Sequence, residues 1–188
     1  MSQLELFAGK EEYLAQDFIE IDEVADVANA LGIFFKCREY DQKHIPNIII
    51  QGEQLSGKTH LVRFLAQKYK LNIIDLTSDI DLVDFFEEGE CYIFEDVDET
   101  NNDELLLNII NLAKESKAFL IFTLKNEIKT KIKDFDSRLK NFFIKCKIKP
   151  LSEDSINQLA VGYLSRNQIK ATNKAVKEII ASKWRRVI

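Results

Sequence analysis

The stretch GEQLSGKT, residues 52–59, decides how the rest of the chain is read. It follows the apolar run NIII (47–50) and precedes HLVRFLAQKY, in which Leu61, Phe64, Leu65 and Lys68 recur at helical spacing. A glycine, four residues and then Gly-Lys-Thr, set between a strand and a helix, is the spacing of a phosphate-binding P-loop. Glycines let the backbone curl until several N–H groups converge on one anion, and the following helix adds the positive end of its dipole. Lys58 is then the residue to reach the β- and γ-phosphates, and the Thr59 hydroxyl helps to hold Mg²⁺. Gly52, Gln54, Ser56, Gly57 and His60 complete the expected nucleotide-binding set, with ADP or ATP and Mg²⁺ as cofactors.

Outward from this loop, short apolar runs alternate with helical patterns between the only two prolines, Pro46 and Pro150. LNIIDL follows the first helix, then DIDLVDFFEEG, read as a helix that Gly89 terminates. CYIFEDVD comes next, then NDELLLNIINLAKESK, whose Leu105, Ile109, Leu112 and Ala113 share one face. AFLIFTL (118–124) is a fourth strand candidate. FFIKCKIKP is a fifth, in which Phe142, Ile144, Cys146 and Ile148 alternate with Lys145, Lys147 and Lys149. Five strands interleaved with helices predict an α/β core with a mostly parallel sheet. The lysine stripe reads as a solvated outer face, with phosphate contact as the alternative.

After Pro150 the pattern is purely helical. Ser152 can cap a helix with Glu153 and Asp154 in its first turn and an apolar stripe of Ile156, Leu159, Ala160, Tyr163 and Leu164. Thr172 can cap a second helix carrying Val176, Ile179, Ile180 and Trp184, the last either packed or exposed for a partner. The expected organisation is a terminal tail over residues 1–10, a nucleotide-binding core over 11–150 and a helical segment over 151–188.

A P-loop needs acids at the end of a neighbouring strand. YIFEDVDE places Glu95 and Asp96 where an apolar strand leaves the sheet. One carboxylate, Glu95, is expected to hold Mg²⁺ through water, and Asp96 to orient an attacking water. Asp98 and Glu99 read as a solvated acidic turn.

These segments together resemble the DnaA branch of AAA+ ATPases. GEQLSGKTHL, with His60 after the P-loop threonine, is similar to the GKTHL signature of that branch; the acidic strand end with its following helix and FDSRLKNF are similar too. Within the branch the chain most resembles the Hda family of DnaA-related regulatory inactivators, which begin with a clamp-binding peptide of the form QL-x-L-F or QL-x-L-P. QLELF fits at Gln3, Leu4, Leu6 and Phe7. The resemblance implies binding to the DNA polymerase sliding clamp and hydrolysis, in trans, of ATP held by the initiator DnaA. Arg138 matches the position of the arginine finger that stabilises the transition-state charge. It implies contact with DNA that is indirect or weak, and leaves a homodimer open. Thr123 or Asn126 matches the polar sensor, and Arg185 or Arg186 the lid arginine. Glu95 departs from the usual Asp–Asp pair. With an early-ending lid, that departure implies a protein that holds nucleotide, ADP in particular, with little hydrolysis of its own. An autonomous P-loop ATPase of the loader or remodeller type, or a clamp-binding module with a degenerate nucleotide site, are the competing readings.

Composition narrows the classes. The apolar fraction of 46% and charged fraction of 30% describe a globular chain of 188 residues. A net charge of −5 lacks the overall positive field of a dedicated duplex binder. Cys37, Cys91 and Cys146 are odd in number and without CxxC spacing, which reads as buried thiols in a reducing cytoplasm. No signal peptide is indicated, and the longest apolar runs are too short to span a bilayer, so no membrane partner is expected.

Overall fold

The computed structural model describes residues 21–39, 46–54, 56–76, 82, 85–166 and 168. Five strands, β1 (Asn47–Gln51), β2 (Asn72–Ile74), β3 (Cys91–Phe94), β4 (Phe119–Leu124) and β5 (Phe143–Lys147), form one sheet in the order β2-β3-β4-β1-β5. Every pairing is parallel. Helices α1 (Ala25–Glu39), α2 (Lys58–Tyr69), α3 (Asp103–Glu115), α4 (Lys133–Asn141) and α5 (Glu153–Arg166) accompany it. The fold class expected from the sequence is the one observed.

The three inner strands are predominantly apolar because both of their faces are covered. On one face Val27, Leu31, Phe34 and Phe35 of α1 and Leu61, Val62 and Leu65 of α2 pack with Ile48, Ile50, Ile93 and Ile121. On the other, α3 and α4 cover Ile49, Phe94, Leu120 and Phe122. Alternate residues of each strand therefore feed opposite cores.

Four details differ from the sequence reading. The first is α1, for which no element was expected; its Val27, Leu31, Phe34 and Phe35 carry helical spacing. The second is the stretch ending at Gly89, where residues 85–90 form no helix. The Tyr92 hydroxyl accepts from Glu87 N–H at 3.0 Å and donates to the Phe85 carbonyl at 3.3 Å, while the Phe85 and Phe86 rings pack against the Tyr92 ring. Gly89, at φ 79°, sits in a turn whose carbonyl accepts from Arg38 Nε at 2.8 Å. Aromatic packing has overridden local periodicity there. Third, the buried seam of α3 is Leu106, Ile109, Ile110 and Ala113, with Leu105 and Leu112 at its margin. Fourth, Phe142 closes α4 and lies outside β5, where Phe143 is buried and Ile144 is exposed because β5 is an edge strand.

The lysine stripe is exposed, as read: Lys145 meets Glu127 and Lys149 meets Asp26 at the surface. Cys91 and Cys146 are buried, and burial pushes the Cys91 thiol up to about 12. Among the described residues no helix is long and apolar enough to cross a membrane.

Candidate phosphate-binding site

The loop that leaves β1 is built by close approach. Gly52 donates its N–H to the Leu124 carbonyl at 3.1 Å, and Gln51 accepts from Ile148 N–H at 2.8 Å. A β-carbon on Gly52 would collide with Ser56 Oγ and press to 3.3 Å on Ile148, so this position admits only glycine without rearrangement. Gly57 turns the chain at φ 87°, a left-handed value that costs a side chain about 1–2 kcal/mol, and stands directly before α2. Gly57, at the N-cap position, has no side chain with which to cap that helix start. A helix start of this kind presents backbone N–H groups and the positive end of the helix dipole to an anion.

Lys58 is 6% exposed, and its ammonium donates to the carbonyls of Gly52 at 2.7 Å and Glu53 at 3.0 Å. Burial holds its pKa below the ordinary lysine value, against the pull of Asp96. Ser56 Oγ is buried without a hydrogen-bond partner among the described residues. An orphaned hydroxyl, a turn that only glycine fills and an uncapped helix start are what a phosphate would satisfy. The residues present fit that group. Thr59 and Gln54 are exposed at the mouth and His60 is half-buried; Leu55 lies outside the described residues.

Glu95 and Asp96 leave the sheet after Phe94, as the strand register predicts. Burial pushes the Glu95 carboxyl up, while a hydrogen bond from Thr59 opposes the rise. Thr59 and Glu95 thus meet, and they form the donor set that Mg²⁺ would use alongside phosphate oxygens. Asp96 is held at φ 47°, ψ 45°, its N–H donating to Thr123 Oγ1 at 2.8 Å. Thr123 is 1% exposed and anchors the Asp96 backbone. Asn126 is exposed at the surface.

Two findings here lie beyond the sequence reading. Asp98 is no solvated turn: its carboxylate accepts the N–H groups of Lys125 at 2.9 Å and Asn126 at 2.7 Å, fixing the loop after β4. Lys125 went unnoticed in the sequence, yet its ammonium lies 3.4 Å from Asp96 Oδ2 and also bonds Glu99. Nothing in a single lysine after a strand announces that placement. Arg138 is on α4; its Nε contacts Asp134 at 3.4 Å and its guanidinium stacks 5.4 Å from the Phe142 ring. Gln3, Leu4, Leu6 and Phe7 lie outside the described residues, as do Thr172, Trp184, Arg185 and Arg186.

No family model matches the sequence, and no curated protein does. Solved structures match throughout. Domain III of the Thermotoga maritima replication initiation protein DnaA aligns with a TM-score of 0.63 at 14% identity, over 94% of this chain and 84% of that one. AMPPCP-bound DnaA from Aquifex aeolicus aligns with a TM-score of 0.63 at 14% identity, covering 92% of this chain. The Thermotoga maritima RuvB Holliday junction branch migration motor gives 0.61 at 14%, over 89% of this chain and 60% of that one. The fold, with its P-loop, is the α/β fold of AAA+ P-loop modules. Its architecture is similar to domain III of the Thermotoga DnaA, and the chain spans 61% of the length of the Aquifex protein.

Proposed function

We propose that this chain is a nucleotide-holding regulatory AAA+ module of DNA replication. In this reading it docks on the sliding clamp through Gln3, Leu4, Leu6 and Phe7 and promotes hydrolysis of initiator-bound ATP through Arg138. The observation that carries the nucleotide half is the loop itself: a buried Lys58, an orphaned Ser56 hydroxyl and the Thr59–Glu95 contact converge where α2 begins. The clamp half is supported by the QLELF sequence, and the regulatory half by Arg138 in its S-R-L context beside a DnaA-like fold.

The bound nucleotide with Mg²⁺ would supply the phosphate charge that holds the loop and α2 in one arrangement. The chain's own residues do the rest. Lys58, which now donates to the Gly52 and Glu53 carbonyls, would be the residue to hold phosphate oxygens, Thr59 and Glu95 would hold the metal, and Asp96 lies beside them. Lys125 against Asp96 engages the carboxylate that would otherwise orient water, which favours holding nucleotide over turning it over. That contact is the reason to prefer a regulator to an autonomous ATPase.

The test is hydrolysis of initiator-bound ATP in the presence of clamp-loaded DNA. Wild type should stimulate it, whereas Arg138→Ala and the Leu6→Ala/Phe7→Ala pair should each lose most of the stimulation; removal of a finger costs about 10³–10⁵ in rate. Unchanged stimulation by Arg138→Ala would sink the finger assignment. Turnover by the isolated chain that disappears in Lys58→Ala would favour the autonomous ATPase instead.

A further inference from the structure

Residues 125–149 carry nine lysines and arginines against three acids, a net charge of +6 within a chain of −5. The fold gathers part of this run into one face. β4 leaves the sheet at Leu124, a loop leads into α4 at Lys133, and β5 returns beside β1. Gln51 of β1 lies opposite both Leu124 and Lys147, so the last lysine of β5 is level with the point where the loop departs. Lys145 reaches Glu127 of that loop at 3.4 Å, which ties strand and loop together.

Lys129, Lys131, Lys133, Lys145 and Lys147 are all exposed. The three acids in the run are each engaged: Glu127 by Lys145, Asp134 by Arg138 and Asp136 by Lys140. Four of the five lysines, all but Lys145, have no ion pair among the described residues. The acidic balance of the whole chain therefore conceals a local positive field.

We infer that this face binds the phosphodiester backbone of duplex nucleic acid without reading its sequence. The alternatives fit its chemistry less well. Protein interfaces are depleted in lysine and enriched in aromatic rings. Single-strand platforms need exposed rings on which bases stack. Across residues 125–149 Phe135 and Phe143 are buried, and Phe142 is half-buried with Lys114 and Arg138 over its ring. A face of lysine point charges with no exposed ring is suited to phosphate contacts. This contact requires neither a bound nucleotide nor a clamp, so it goes beyond the function proposed above and can fail separately from it.

Fluorescence anisotropy of the full chain with a labelled mixed-sequence duplex, titrated from about 50 mM salt upward, tests it. Each lysine that neutralises a phosphate contributes about −0.9 to the slope of log K against log salt. Lys145→Gln/Lys147→Gln should flatten the slope by roughly 1–2, since Lys145 also engages Glu127, and Lys129→Gln/Lys131→Gln/Lys133→Gln by roughly 3. Lys36→Gln, exposed on α1, should leave it unchanged. Thermal melts of both multiple variants should match wild type, since the altered side chains are solvent-facing. Absence of binding at the lowest salt, or slopes unmoved in both variants, would overturn the inference. So would tighter binding to a single strand of equal length, or competition by polyglutamate as effective as that by unlabelled duplex.

Discussion

Gly52 and Gly32 are the same residue under opposite constraints. At Gly52 a β-carbon has no room, because Ser56 Oγ and Ile148 already crowd the position. At Gly32, within α1, a β-carbon meets nothing within 4 Å. Gly52→Ala should therefore displace Ser56 and weaken binding of a fluorescent ADP or ATP analogue by at least about tenfold, roughly 1.4 kcal/mol. Gly32→Ala should stabilise the fold by about 0.5–1 kcal/mol in urea melts, because alanine restricts the unfolded chain and favours the helix. Equal effects from the two substitutions would refute the steric reading. The P-loop glycine was legible from its spacing in sequence. Its reason was not: the added β-carbon collides with Ser56 Oγ four residues on, and the backing from Ile148 comes from 96 positions along the chain.

At the scale of elements, α5 is held by a residue far upstream. Ser152 caps it through Oγ to Ser155 N–H at 3.2 Å, as its sequence predicted. Glu23 adds what the sequence concealed: its carboxylate accepts from Ser152 N–H at 2.8 Å and from the Ser155 hydroxyl at 2.7 Å, within the protein interior. Burial pushes this carboxyl up, but the hydrogen bonds from Ser152 and Ser155 prevail and bring it down to about 2. A folded pKa below the unfolded one means the contribution is fully present above the unfolded value, near 4.5, and is lost as pH falls through about 2. Glu23→Gln should cost about 1.5–3 kcal/mol near pH 7, the range for hydrogen bonds to a charged group. Urea melts of wild type and variant should converge between pH 4.5 and pH 2. A gap that stays constant with pH would show that packing, not charge, holds α5.

For the molecule as a whole, one sheet divides two cores that share no side chain among the described residues. Phe122 is fully buried on the α3 and α4 side, with ring centroids 5.7 Å from Phe94 and 5.0 Å from Phe143. Truncation to alanine leaves a cavity that the surrounding strands cannot close, so Phe122→Ala should cost about 3–5 kcal/mol. That is a large fraction of the roughly 5–15 kcal/mol that keeps a domain folded. Ile144→Thr, at a position 48% exposed on the edge strand, should change the urea midpoint little. A comparable loss at both positions would mean that β5 is covered in solution.

Strand existence, strand order of appearance, the P-loop and the acids after β3 were determined by the sequence, because each rests on local pattern: apolar runs, glycine spacing and chain continuity. Contacts between distant segments were decided only by the tertiary structure. Tyr92 drew residues 85–90 out of the helical pattern they carry. Asp98 took the backbone of Lys125 and Asn126, and Lys125 came to rest against Asp96. Periodicity reports which side of an element meets the core. It does not report which polar group will find another across the sheet, since that depends on register and on the order of strands. The sheet order β2-β3-β4-β1-β5 sets the ends of β3 and β4 side by side next to the loop after β1, and so makes a site out of residues up to 73 positions apart.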